Sequence, residues 1–149
     1  MTTSNESDLI VSVTKFIPAS AEEIFEILAD PRRHSEIDGS GSVKAARVKA
    51  PKRLSLGAKF SMSMRIKLPY LITNKVVEFE EGRRIAWCHF GGHRWRYILE
   101  PTEGGTNVTE QFDMTTARNA KMERRMKAPE RNRVSIEKTL DNLAAKFAK

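Results

Sequence analysis

Most of the chain reads as consecutive β-strands, and this pattern restricts the fold more than any other feature. In "KFSMSMRIK", residues 59–67, apolar and polar residues alternate, so that Phe60, Met62 and Met64 share one face. Similar segments fill residues 43–114 and are separated by turn signals such as "EEG", "GG" and "EGG". The pattern predicts an antiparallel sheet with one apolar face and one solvated face.

Helices are predicted on both sides of this run of strands. A first strand, "DLIVSVTKFI", stops at Pro18; Ser20 suits the N-cap of a short helix, and Pro31 ends that helix or begins a second short one. Near the C-terminus, apolar residues recur at helical spacing: Ile136, Leu140, Leu143 and Phe147. The order predicts an α+β fold of about seven strands, with the terminal helix covering one sheet face.

Length and composition indicate one domain, residues 1–149, with residues 1–7 expected to be disordered. The single cysteine, Cys88, cannot pair within the chain. No signal-peptide pattern is present, and no apolar run approaches the ~20 residues of a membrane span. We therefore expect a cytoplasmic, monomeric protein that does not insert into membranes.

The net charge of +7 is concentrated in residues 118–133, "RNAKMERRMKAPERNR". Such a run is most often a solvated face, and its functional alternative is a cationic rim that attracts an anionic head group or an acidic protein surface. The segment "HRWRY" interleaves arginines with aromatics, but in a strand these point to opposite faces. No specific nucleic-acid partner is expected.

The length of the loop around Gly91–Gly92 determines which side chains of the two flanking strands share a face. A two-residue loop would mix arginines with an indole, whereas a three-residue loop pairs Trp87 with Tyr97 and His89 with Trp95 and separates the faces. We adopt the second register. By the same logic, the register across the "EGG" turn pairs Glu110 with Tyr97. Four more residues then lie on this face, namely Val108, Glu110, Phe112 and Met114.

The predicted inner face is bulky and partly polar. Aromatic and methionine stripes at strand spacing are commonly core, but buried Trp and Tyr need hydrogen-bond partners, and a buried carboxylate such as Glu110 is rare in a solid core. The sequence is compatible with either a filled core or a cavity behind this face, and the carboxylate of Glu110 favours the cavity.

A polar, turn-rich elbow, "LADPRRHSEIDGSGS", joins the first helices to the sheet. This elbow, which contains His34, Asp38 and Ser40, could either cap the end of a helix or line the rim of a pocket.

The chain resembles the polyketide cyclase/dehydrase and lipid-transport (SRPBCC) family of the START-like, helix-grip superfamily. The resemblance rests on "IPASAEEIFEILADPRRHSEI", "VVEFEEGRRIAWCHF", "RWRYILEPTEGGTNVTEQFD" and "ERNRVSIEKTLDNL". It implies a curved antiparallel sheet wrapped around the long C-terminal helix, with an apolar cavity between them. Where many relatives have tryptophan, this sequence has Ile37, so no ligand contact is carried over to that position.

Three function classes follow. The first is a binding protein for an aromatic, polyketide-like or lipid-like molecule, the second an aromatase/cyclase or dehydratase using Glu110, His89 or Tyr97 as proton-transfer group, and the third a nucleic-acid or membrane-surface adaptor. Histidine spacing gives no metal motif, and no cofactor is expected. The candidate ligand-binding residues are Phe60, Met62, Met64, Trp87, His89, Trp95, Tyr97, Glu110, Phe112, Met114, His34 and Asp38.

Overall fold

The computed structural model describes residues 9–40, 43–46, 51–65, 68–89, 91–125 and 127–148, without the side chains of 43–46, 62–65, 69–71, 123–125 and 128. The expected disorder of residues 1–7 therefore lies outside the described residues. Within them, no helix is long and apolar enough to cross a membrane.

The elements follow the predicted order. Strand β1 (Ile10–Ile17) precedes helix α1 (Ala21–Leu28), a 3-10 turn (Pro31–Arg33) and helix α2 (His34–Ile37). Six strands come next, namely β2 (Val43–Ala46), β3 (Lys59–Arg65), β4 (Pro69–Glu80), β5 (Arg84–Cys88), β6 (Arg94–Thr102) and β7 (Gly105–Asp113). Helices α3 (Ala120–Arg125) and α4 (Ala128–Ala145) complete the described chain.

The described strands form one antiparallel sheet in the order β1-β7-β6-β5-β4-β3-β2. Helix α4 packs on β1 and β7 through its buried residues Ile136, Thr139, Leu140 and Leu143. Helix α1 buries Ile24, Phe25, Ile27 and Leu28 in the same core. The predicted α+β, helix-grip fold class is confirmed.

Local sequence explains where the helices begin. The Ser20 hydroxyl accepts a hydrogen bond from the Glu23 N–H at 3.2 Å, which caps α1 as predicted. Lys127, with a φ of 59°, separates α3 from α4, and Pro129 lies in the first turn of α4, where its missing N–H removes no helical bond. Within the described residues, the basic run 118–133 therefore contains helix α3 and the first turns of α4, which are separate helices.

The predicted pairing of β5 with β6 is wrong by two residues. Trp87 pairs with Trp95 and Ile85 with Tyr97, so the connection contains residues 89–93. This longer loop is held by the segment after β7, because Arg118 N–H donates to the Gly91 carbonyl and the Thr116 hydroxyl donates to that of Gly92. A shift of two residues leaves each side chain on its predicted face. The predicted pairing of Tyr97 with Glu110 is confirmed.

The outer face of the sheet carries a charged network. Glu78 accepts hydrogen bonds from Arg94 and Arg96, each at 2.7 Å, and Arg96 also donates to Asp113 at 3.0 Å. The hydrogen bond from Arg96 is the main reason that the pKa of Glu78 falls to about 2. The arginines of "HRWRY" therefore lie on the opposite face of the sheet from the aromatic residues, as predicted, and donate hydrogen bonds to carboxylates.

The C-terminal part of the elbow is hydrogen-bonded directly to α4. The Gly39 N–H donates to Oγ1 of Thr139 at 2.8 Å, and Nδ2 of Asn142 donates to the Ile37 carbonyl at 3.1 Å. A Cβ added to Gly39 would lie 2.4 Å from the Ser135 carbonyl oxygen. Only glycine allows the elbow to approach the helix this closely.

Replacing Gly39 tests this contact. Gly39→Ala must push the elbow away from α4 and should lower the free energy of unfolding by about 1–3 kcal/mol in urea denaturation. The control Gly57→Asn changes a glycine at φ 85° with nothing within 4 Å of an added Cβ, and should cost less. Equal losses in the two variants would contradict the proposed close contact.

Candidate functional site

Aromatic rings cover the inner face of the sheet. Trp87 lies 5.7 Å from Tyr97, and Trp95 lies 4.8 Å from Phe112, between ring centroids. Alternation along β5, β6 and β7 places all four rings on the face that α4 covers, with Arg96 on the other. The predicted grouping of Trp87, Trp95, Tyr97, Glu110 and Phe112 on one face is confirmed.

Glu110 is the buried carboxyl group of this face. It is paired with Tyr97 on β6 and Val13 on β1, and only 4% of the residue is exposed. Hydrogen bonding from Tyr97 is one of the influences on the pKa of this carboxyl group, but Oε1 has no hydrogen-bond partner among the described residues. Within the described part of the chain, one oxygen of the acid is thus buried without a donor or acceptor.

Burial controls the protonation of this pair. Desolvation raises the pKa of Glu110 to about 8; the Tyr97 hydrogen bond opposes this shift and the charge of Asp38 adds to it. Burial and then the charge of Glu110 raise the pKa of Tyr97 well above its usual value. At neutral pH the acid is therefore mainly uncharged and can donate a hydrogen bond.

The elbow supplies one histidine and one carboxylate beside these groups. His34 is buried, its ring stacks on Trp87 at 4.8 Å and 18°, and Nε2 donates to the Leu28 carbonyl at 2.8 Å. Burial lowers the pKa of His34. Asp38 accepts hydrogen bonds from the Ser40 N–H and hydroxyl, which is the capping role, while its charge also acts on Glu110 and Tyr97. Asp38 therefore caps the elbow and lies towards the inner-face site.

His89 differs in position from the prediction. It lies in the connection after β5, not opposite Trp95, with its ring 4.4 Å from that of His93 and Nδ1 accepting from the Gly91 N–H. Burial, followed by the charge of His93, lowers the pKa of His89 to about 4. His93 in turn packs on Phe112 at 4.8 Å. The sequence analysis considered His93 only as a metal-ligand candidate and did not place it against the inner face, although its spacing from His89 across the glycine pair was a signal.

The remaining predicted residues lie around these groups. Phe60 is buried and its ring contacts both His34 and Trp87, at 5.6 and 5.5 Å. Met114 is buried after β7. The side chains of Met62 and Met64 lie outside the described part of the chain.

The sequence analysis also missed Asn74. This residue pairs with Phe60 from β4 and is 7% exposed, so a buried amide belongs to the same face. A β-bulge between Val76 and Glu78 interrupts the alternation of β4. Val76 is apolar and lies two residues after Asn74, so strand alternation would have placed both side chains on the inner face.

No group of three or more His, Cys, Asp or Glu side chains suited to a metal ion occurs among the described residues. The chemistry that the inner face itself offers is hydrogen bonding and proton transfer by Glu110 and Tyr97 within an aromatic surface.

The pKa of Glu110 predicts how stability varies with pH. The folded-state pKa of about 8 exceeds the ordinary value of 4.5, so the folded state binds the proton more tightly. This contribution is complete below pH 4.5 and is lost as the pH rises to about 8, by up to about 1.4 kcal/mol per pH unit. Glu110→Gln should remove that slope from urea unfolding curves, whereas Glu100→Gln, at an exposed position of β6, should retain it. An unchanged slope in Glu110→Gln would contradict the assignment.

Comparisons with known proteins agree with this fold. The family model "Polyketide cyclase / dehydrase and lipid transport" matches residues 8–148. The uncharacterized protein Rv0088 of Mycobacterium tuberculosis is 40% identical over 147 residues, which cover 93% of this chain and 64% of that protein. The chain thus spans just under two thirds of the length of the curated relatives that it matches.

Solved structures show the same architecture at low sequence identity. The protein NE0264 from Nitrosomonas europaea superposes with a TM-score of 0.70 at 16% identity, covering 97% of this chain and all of that one. The Polyketide_cyc-like protein Cgl2372 from Corynebacterium glutamicum gives a TM-score of 0.59 at 18% identity, covering 93% and 88% of the two chains. With the family match over nearly the whole sequence, these similarities show that the chain belongs to the polyketide cyclase/dehydrase and lipid transport family.

Proposed function

We propose that this protein binds an apolar small molecule between the inner face of the sheet and helix α4. The observation that carries the proposal is Oε1 of Glu110, which is buried and has no hydrogen-bond partner among the residues that the structure describes. A buried polar atom without a partner costs about 1–3 kcal/mol and is rare in native proteins. A ligand that completes its hydrogen bonding accounts for it, and family membership supports a fold that holds hydrophobic molecules.

Incomplete burial of the inner face supports the same proposal. Trp87 and Trp95 point to the covered side of the sheet, yet both remain partly exposed, as do Val13 and Ile72. The helix offers a single apolar stripe, which is narrower than the sheet beneath it. Partly exposed indoles on a concave face are the contacts that a flat or extended apolar molecule would use.

A neutral fluorescent probe tests the binding function. N-phenylnaphthylamine should bind with a one-to-one stoichiometry, receive excitation energy from the two tryptophans and raise the melting temperature as its concentration increases. Trp95→Ala removes an inner-face contact and should weaken probe binding about tenfold. The control Arg84→Ala, on the outer face, should leave binding unchanged.

The opposite pattern would overturn the proposal. It fails if neither this probe nor other neutral apolar compounds bind, or if Arg84→Ala weakens binding as much as Trp95→Ala does. Circular dichroism of both variants ensures that a loss of binding is not a loss of folding.

A second function, acid–base catalysis, is favoured by the raised pKa of Glu110 beside Tyr97. A carboxylic acid that titrates near neutral pH can give and take protons. In the dehydration of a β-hydroxy ketone, one oxygen of the protonated Glu110 would take the proton from the carbon beside the carbonyl while the other oxygen gives its proton to the departing hydroxyl. The electron pair of the broken C–H bond forms the C=C bond as the C–O bond breaks, water leaves, and the carboxyl group ends in its protonated form.

The same substitution separates a carrier from a catalyst. Glu110→Gln keeps the shape of the side chain but removes its titrating proton. It should lower turnover of a β-hydroxy ketone by ~10²-fold or more with little change in substrate affinity if the protein is a catalyst. Absence of turnover in the parent protein, together with probe binding, would leave binding as the function.

A further inference from the structure

The unpartnered oxygen of Glu110 also defines the polar group that it would meet. Oε1 of Glu110 is buried and has no hydrogen-bond partner among the described residues, so it is the oxygen of the acid that a bound group would meet. We propose that the bound molecule presents an uncharged hydrogen-bond acceptor, such as a ketone oxygen, to Oε1 of Glu110, which makes Glu110 the residue that selects neutral ligands over anionic ones. This inference rests on the proposed binding function and specifies the ligand chemistry of that site.

Among the residues that the structure describes, the groups on the neighbouring elements give the acid no cationic partner. On β6 the facing group is Tyr97, and on β1 it is the uncharged Val13. The next inner position of β1, Lys15, forms a salt bridge with Asp141 of α4 at 3.1 Å. From the elbow, the charged group that acts on Glu110 is the carboxylate of Asp38.

The remaining neighbours are apolar or neutral. The buried face of α4 consists of Ile136, Thr139, Leu140 and Leu143, without a charged side chain. Further along β7, Phe112 is covered by the His93 ring at 4.8 Å. Within the described part of the chain, the charged group that acts on Glu110 is therefore the carboxylate of Asp38, which raises its pKa.

This environment distinguishes between ligand classes. A carboxylate ligand would place a further negative charge beside Asp38 in a desolvated space, which is unfavourable. An ammonium ligand would have to lose its own hydration and would require Glu110 to ionise. A ketone needs neither change, because the protonated acid donates directly to the carbonyl oxygen, and the pKa of about 8 keeps that proton in place at neutral pH.

A series of naphthalenes with one variable substituent tests the proposal. Acetylnaphthalene presents a ketone, isopropylnaphthalene is the hydrocarbon of nearly the same shape, naphthoate is an anion and naphthylethylammonium is a cation. At about pH 7, acetylnaphthalene should bind about five- to tenfold more tightly than the hydrocarbon, as expected for one hydrogen bond, and naphthoate should bind most weakly.

Two variants at one position identify the group responsible. Glu110→Gln retains an N–H donor and should keep the preference for the ketone, whereas Glu110→Leu should abolish that preference and still bind the hydrocarbon. In the parent protein the ketone preference should decline above about pH 8 as the acid ionises, and in Glu110→Gln it should stay constant.

Each other outcome overturns the assignment. Tightest binding of naphthylethylammonium, lost in Glu110→Gln, would show that the site takes cations. Equal binding of ketone and hydrocarbon in the parent protein would show that Glu110 does not select the ligand, while the binding function itself would stand. Failure of all four compounds, and of the neutral fluorescent probe, would remove the binding function and this inference together.

Discussion

Burial of the apolar face of the sheet is the constraint on which the rest of the structure depends. Seven strands present a broad inner surface, whereas α4 contributes one stripe centred on Ile136, Leu140 and Leu143. The remaining cover comes from α1 and from the elbow, whose Gly39 lies directly against the backbone of α4. Hydrophobic stabilisation scales with the apolar area that is removed from water. These contacts therefore keep α4, α1 and the elbow packed against the inner face of the sheet. The same geometry leaves Trp87 and Trp95 partly accessible, and this partial exposure is one basis of the proposed ligand-binding function.

Two glutamates on opposite faces of this sheet show how position determines chemistry. Glu78 is surrounded by guanidinium groups, mainly that of Arg96, and its pKa is about 2. Glu110 is surrounded by rings and has Tyr97 as its hydrogen-bonding partner, and its pKa is about 8. The first is a permanently ionised member of a structural network. The second is an acid that carries a proton at neutral pH, and both proposed roles, ligand recognition and proton transfer, depend on that difference.

Sequence analysis predicted the faces of the strands better than their exact pairing. The Tyr97–Glu110 pair was found because the "EGG" turn is short, and a short turn determines its register locally. The pairing of Trp87 was wrong by two residues because the preceding glycine loop is longer and is held by Thr116 and Arg118, which follow a different strand. A two-residue error preserves the face, so Glu110 was still placed inside, but it moved His89 from the sheet into the loop.

The sequence by itself determined the α+β architecture, the start of helix α1 after Ser20, and the side of the sheet on which the aromatics and Glu110 lie, because these follow from local periodicity and capping. Only the tertiary structure decided which groups meet across distant segments. The bulge after Val76 sends Glu78 to the outer face, and Asp38 comes close enough to act on Glu110 only because the elbow docks on α4. Such contacts depend on loop geometry and close approach between elements, and these are set by the packing of the whole domain and not by the residues of any one segment.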